Sequence, residues 1–297
     1  APTIASQFRH TRESLAPIVK LAADGWNIAI VHGNGPQVGD EIERNEAARD
    51  LLPPLPLGVL VASTGGWIGY MIQQSVANAL EQRGIKRDVI TLVTQTEVSR
   101  HDPYLDRPTK PVGHALAADR REALAARGIA VGQDGRGRWR RMAPSPQPIA
   151  IIEAAAVGQL VGEGKIVIAA GGGGPPVYFD DETCGWEGVE AVVDKDLSAA
   201  VLAMGIGADT LLILTDVNGV YRNWGSEQAA LIPRLTVAEA AQLVDSDELG
   251  AGSMAPKVAA GIAFLNSGGR CAIIARLAEG VAALEGTAGT TISGDVK

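Results

Sequence analysis

Residues 28–39 read IAIVHGNGPQVG. A short run of branched apolar residues, 28–31, gives way at once to a turn carrying Gly33, Asn34 and Gly35. Such a run is the signature of a strand covered on both faces. Glycines directly after it let backbone N–H groups approach an anion closely. The arrangement returns at 166–177, IVIAAGGGGPPV, where Gly171, Gly172 and Gly173 follow a second apolar run. Two further segments, VVDKDLSAA at 192–200 and GSMAPKV at 252–258, put Lys195 and Lys257 at what read as helix starts. A helix N-terminus adds partial positive charge. A lysine adds a mobile full charge where a transferring phosphoryl group needs neutralising. The four segments together read as one phosphoryl-transfer site.

Outward from these turns the chain alternates. Residues 28–31, 89–93, 166–170, 211–214 and 272–275 read as buried strands. Helical spacing of apolar residues marks 8–23, 66–82, 149–161, 197–204, 237–244 and 256–266. Gly84 and Gly128 stand where helices end. This alternation predicts an α/β fold: a mainly parallel open sheet with helices on both sides. Ligands in such sheets bind beyond the carboxyl ends of the strands. HGNG, AAGGGG and LTDVNG all fall there, which puts Thr215 and Asp216 at a strand end. Residues 100–148 break the pattern with charge, Gly and Pro, and DGRGRW within them reads as a hairpin turn. The expectation is one domain over 1–297, with 100–148 as a small protruding flap that brings Lys110 over the substrate. A plain solvated insertion fits the same composition equally well.

Bulk properties narrow the function. The 297 residues carry a net charge of -8 and only 4% aromatics. That opposes a nucleic-acid backbone, base-stacking platforms and an anionic membrane surface. It leaves room for a small anion in a pocket dominated by lysines. No apolar run approaches a membrane span. The opening APTIASQFRHTRES lacks the apolar core of a signal peptide. Two cysteines far apart, Cys184 and Cys271, suit a reducing cytoplasm better than a disulfide.

Several familiar motifs fail. VGEGKI ending at Ile166 lacks the first glycine and the final Ser/Thr of a P-loop, and it precedes its strand. GGGG at 171–174 is followed by Pro176 where a dinucleotide fingerprint needs glycine. The four histidines show no metal spacing, and no G-x-S-x-G occurs. A lone lysine is usually a solvated surface charge. Lys195, however, lies between Asp194 and Asp196 before an apolar helix, where an aspartate can cap the helix or hold the lysine. Lys257 follows a glycine loop and a proline suited to a first helical turn.

The segments HGNGPQVG, TKPVG (109–113), APSPQP (143–148), AAGGGGPPV, GVEAVVDKDLSAA, LTDVNGVY and GSMAPKV span 31–258 in one order. In that order they resemble the carbamate kinase branch of the amino acid kinase superfamily. The resemblance implies a three-layer αβα sandwich and a reversible reaction, ATP plus carbamate giving ADP plus carbamoyl phosphate, with Mg2+. It implies that Lys195 and Lys257 stabilise the transferring phosphoryl and that Asp196 positions both. On the substrate side it implies Gly33, Asn34, Gly35, Lys110, Gly172 and Gly173. On the nucleotide side it implies Gly171, Asp194, Thr215, Asp216, Tyr221, Gly252 and Met254. No protein metal ligand is expected, and a homodimer is.

Two departures stand out. The family opens with a strand and a glycine turn of the type A-L-G-G-N-A, whereas this sequence begins at the helix that follows. The expectation is that such a strand lies upstream of Ala1. After TKPVG the family commonly has a Pro-aromatic pair, where this chain has His114, Ala115 and Leu116. Two other functions remain open: a kinase of the same fold acting on another small acid, and a non-catalytic nucleotide or anion binder.

Overall fold

The computed structural model describes residues 3–249 and 254–294. In the strand Ile166–Ile168, Ile166 and Ile168 face one core and Val167 another. That is the two-residue period of a strand buried on both sides. It lies between Ile28–Ile30 and Val89–Thr91, parallel to both, with Ile166 level with Ile28 and Val89. Helices Ala16–Ala23 and Leu57–Glu81 cover the isoleucine side through Val19, Ala22, Val76 and Leu80. Helix Ala154–Gly162 covers Val167 through Val157 and Val161, joined by Leu202 of helix Lys195–Gly205.

A second sheet repeats the scheme in the order Thr210–Thr215, Cys271–Arg276, Thr290–Ser293, Arg234–Thr236. Its outer pairs are parallel and its middle pair antiparallel. Leu211, Ile213, Ala272 and Ile274 pack on helices Val237–Asp245 and Met254–Asn266 through Leu243, Val258 and Phe264. Ile273 and Ala275 face the other way, onto Ala283 of helix Gly280–Leu284. The architecture is therefore the expected α/β sandwich, with helices on both faces and mixed but largely parallel strands. A third, mixed sheet joins Pro176–Asp180, Gly185–Gly188, Thr96–Val98 and Pro148–Ile151.

All five expected strands are present. Two helical expectations change, and one helix stands where none was expected. Residues 8–23 form two helices, Ile4–Glu13 and Ala16–Ala23, with Pro17 opening the second. Residues 149–161 are not one helix: Pro148–Ile151 is a strand, and helix Ala154–Gly162 follows it. The Glu153 carboxylate between them accepts from the Gln95 backbone N–H and side-chain amide, at 2.7 and 3.0 Å. That ties the strand end to the neighbouring strand. A continuous apolar run satisfies both periods, so its spacing alone does not separate strand from helix. Helix Gly35–Ala48 has no counterpart in the sequence expectation, because its exposed face is almost wholly polar.

Residues 110–143 carry a three-stranded antiparallel sheet, Lys110–Val112, Trp139–Ala143 and Val131–Gln133. The Asp134 carboxylate accepts from the Arg136 and Arg138 backbone at the DGRGRW turn, both at 3.0 Å. This sheet rests on helix Gly35–Ala48. Val112 and Ala143 are buried with Val38 and Ile42, so the segment has more apolar anchorage than its composition suggests. Gly39 meets Gly113 so closely that a Cβ at Gly39 would collide with the Gly113 backbone.

Candidate active site

The first glycine turn follows strand Ile28–Ile30 and opens helix Gly35–Ala48, with Pro36 in the first helical turn and no acidic residue there. Its first backbone N–H groups therefore lack a local carboxylate partner, and the helix end favours an anion. The second glycine turn follows strand Ile166–Ile168. Gly172, Gly173 and Gly174 have φ of +68°, +93° and +77°, the left-handed region that glycine enters freely. Side chains are excluded as well. A Cβ at Gly171 would stand 2.6 Å from His32 Nε2, and one at Gly172 would collide with the Asn34 amide. Gly172 N–H donates to His32 O at 2.8 Å, which fastens one glycine turn to the other. Burial pushes the His32 imidazole below its ordinary value, so it sits neutral beneath the turns.

Helix Lys195–Gly205 starts against these turns. Asp194 is its N-cap, accepting from Asp196 N–H at 2.9 Å and Leu197 N–H at 3.4 Å. The Lys195 stem lies along Gly33, where a Cβ would be 3.0 Å from its Cδ. Lys195 Nζ reaches both Asp196 oxygens at 3.1 Å. Lys257 Nζ reaches Asp196 Oδ2 at 2.9 Å from helix Met254–Asn266. Asp196 thus bridges two lysines, and Lys257 is 61 residues from it in sequence. The two differ in access: the Lys195 side chain is 41% exposed and that of Lys257 5%. A third lysine, Lys110, crosses from residues 110–143 to pair with Asp194. Burial is the largest influence on Asp194 and opposes its charge. The Lys110 ammonium, the Asp196 backbone N–H and Lys195 together outweigh it and hold the carboxyl below its usual range. Among the described residues three lysines thus meet two carboxylates, an excess of positive charge that suits an anion.

The sequence-expected residues therefore divide. Gly33, Asn34, Gly35, Lys110, Gly171, Gly172, Gly173, Asp194, Lys195, Asp196 and Lys257 converge. Thr215, at the end of strand Thr210–Thr215, donates to Asp216 Oδ1 at 3.1 Å. Tyr221 makes an edge contact with Trp224, ring centroids 5.1 Å apart. Met254 is the first residue of the Lys257 helix. These four lie with the second sheet and its helices, and no hydrogen bond joins Thr215, Asp216 or Tyr221 to the lysine cluster among the described residues. Gly252 lies outside the described residues.

Several supporting residues escaped the sequence reading. Thr96 Oγ1 and Ser198 Oγ donate to Gly173 O at 2.6 and 2.9 Å, and Thr94 Oγ1 accepts from Ala170 N–H at 2.9 Å. Their only signal is a hydroxyl placed in an apolar run. Among the described residues no three His, Cys, Asp or Glu side chains group as a metal site, and no helix is long and apolar enough to cross a membrane.

Residues 6–276 match the model of the amino acid kinase family, and the chain belongs to that family. Among its relatives is a carbamate kinase of Pyrococcus horikoshii, 42% identical over 98% of this chain and 93% of the relative. The carbamate kinase-like protein YqeA of Escherichia coli is 39% identical over 97% and 94%. A carbamate kinase of Giardia lamblia bound to AMP-PNP superposes with a TM-score of 0.90, at 33% identity over 99% of this chain and 93% of that one.

Proposed function

We propose that this chain catalyses reversible phosphoryl transfer between ATP and carbamate, giving ADP and carbamoyl phosphate. The observation that carries the reading is the Lys195–Asp196–Lys257 bridge beside the Gly33 turn. A carbamate oxygen forms the new bond to phosphorus as the bond to the ADP oxygen breaks. The nucleophile is already an anion, so no general base is needed. Catalysis is then positioning plus charge neutralisation. Lys195 and Lys257 neutralise the transferring group. Asp196 sets the distance between them, and the first glycine turn supplies N–H donors, while Gly172, Gly173 and Gly174 spend theirs on His32 O, Ala170 O and Gly171 O and shape the second turn. Thr215, Asp216, Tyr221, Met254 and Gly252 form the nucleotide side, with Gly171 and Asp194 at its border with the substrate. Asp194 and Asp196 are committed to lysines and backbone N–H groups, so Mg2+ is held by the nucleotide phosphates rather than by a protein cage.

Residues 100–148 act as a flap within a single domain over 1–297, and Lys110 is its contribution to the site. A homodimer is supported by an apolar stripe on one face of helix Leu57–Glu81. There Val59 and Tyr70 are exposed and Val93 lies against Gly66. Two free thiols, Cys184 and Cys271, suit a reducing cytoplasm.

The test is ATP formation from ADP and carbamoyl phosphate, with the reverse reaction measured from bicarbonate, ammonia and ATP. Turnover in both directions supports the reading, and none in either refutes it. A kinase for another small acid is the second reading. It is favoured by His114, which pairs with Asp40 at 2.5 Å where the family commonly has a Pro-aromatic pair. Phosphorylation of a different acid in preference to carbamate would select it.

A further inference from the structure

Asn34 occupies the N-cap of helix Gly35–Ala48, yet its side chain makes no capping bond. Its amide instead crosses to helix Leu57–Glu81, where Nδ2 donates to Thr64 Oγ1 at 2.9 Å. Thr64 is wholly buried at 0% exposure, and Asn34 nearly so at 7%. Thr64 Oγ1 in turn donates to Leu60 O at 2.7 Å, with Val61 O at 3.0 Å. A hydroxyl has one proton to give. With that proton spent on its own helix, the Thr64 oxygen can only accept. Asn34 must therefore turn its NH2 edge, and not its carbonyl, toward Thr64. The other face of the constraint is Gly172, whose Cα lies so close to the amide that a Cβ there would strike Nδ2, Cγ and Oδ1 together. The plane of the amide is fixed by the second glycine turn and its polarity by Thr64.

We propose that Thr64 is a positioning residue for phosphoryl transfer, acting through Asn34, a role that rests on the carbamate kinase reading above. Locked this way, the amide offers one remaining N–H and one carbonyl oxygen in a single arrangement between the two turns. A carbamate group carries both carboxylate oxygens and N–H donors, so a fixed amide polarity lets it bind one way round. An amide free to flip would pair an acceptor with an acceptor half the time. Thr64 thereby contributes to how well the small acid is held, with no part in holding the nucleotide.

The variants are Thr64→Val, which keeps the shape and removes the hydroxyl, and Thr64→Ser, which keeps the hydroxyl. Kinetics are measured for ATP formation from carbamoyl phosphate and ADP. Thr64→Val is expected to raise KM for carbamoyl phosphate about tenfold, the scale of one lost hydrogen bond. KM for ADP should stay within about twofold, the factor also expected for both constants in Thr64→Ser. A second readout does not need turnover: the Asn34 side-chain NH2 signals in 15N-edited NMR, assigned by their loss in Asn34→Asp. They should be exchange-protected in the parent and in Thr64→Ser, and lose protection in Thr64→Val. Equal protection in all three, or equal rises in both KM values, overturns the positioning role. An inactive parent whose Asn34 signals respond as stated would refute the carbamate reading and leave the clamp standing.

Discussion

At the scale of single residues, the two lysines on Asp196 share a role but not an environment. Replacing either by Ala is expected to lower kcat roughly a hundredfold, as for the loss of one electrostatic stabiliser. Stability separates them. Lys195 is two-fifths exposed, so Lys195→Ala should leave the melting temperature almost unchanged. Lys257 is buried against a buried carboxylate, so Lys257→Ala leaves Asp196 poorly compensated and should cost about 3 kcal/mol or more. Thermal melts alongside single-turnover rates check both, and equal melting temperatures would contradict the burial argument. Asp194 gives a pH signature. Its folded value lies below the ordinary carboxylate range, so its stabilisation is complete above the unfolded value and is lost as pH falls through the folded one. Asp194→Asn should flatten that acid limb of the stability profile. A limb of unchanged depth in the variant would mean that other carboxylates produce it. The lysines and glycines were legible in the sequence because each motif follows a strand-like run or opens a helix. Thr64, Thr96 and Ser198 were not, since a buried hydroxyl shows its partner only in three dimensions.

At the scale of elements, a row of polar side-chain pairs seats residues 110–143, the proposed flap, on the helix beneath. Helix Gly35–Ala48 presents Asp40, Glu43 and Glu46 at three-residue spacing, one face of a helix. They meet His114 at 2.5 Å, Arg120 at 2.9 Å and Arg127 at 2.5 Å. Glu46 is the most heavily engaged. Its bond to Arg127 holds its carboxyl below the usual range, with Arg49 and Arg141 adding to the effect. Single exposed pairs contribute little. Several on one rigid face, above the turn that carries Asn34, can still set how often the proposed flap would lift. Glu46→Gln is expected to speed hydrogen exchange across residues 110–143 and to raise KM for the small acid more than for ADP. Unchanged exchange in the variant would show that the apolar contacts of Val112 and Ala143 hold the flap without help from the charges. The sequence revealed this segment by its charge and proline content. It did not reveal the helix beneath, whose polar face leaves only Val38, Gly39 and Ile42 buried.

At the scale of the molecule, the strand and helix alternation carried the fold, because strands buried on both faces must be apolar without a break. Residues 149–161, expected as one helix, show the limit of that signal, since an apolar run beside a helix fits either period. The proposed homodimer rests on the exposed stripe of Val59, Tyr70 and Val93. Light scattering should give twice the 30.8 kDa of the chain, and Tyr70→Glu with Val93→Asp should halve it. A monomeric parent would remove the proposed interface. The central claim is that lysines from separate stretches of chain converge on the transferring phosphoryl group. It is tested most directly by a crystal structure with ADP, magnesium and a fluoride-based mimic of that group. The account predicts the mimic within hydrogen-bonding distance of Lys195 and Lys257, over the Gly33 and Gly172 turns, with the base beside Asp216 and Tyr221. A mimic bound away from both lysines, or a base lodged beside Gly33, would contradict it.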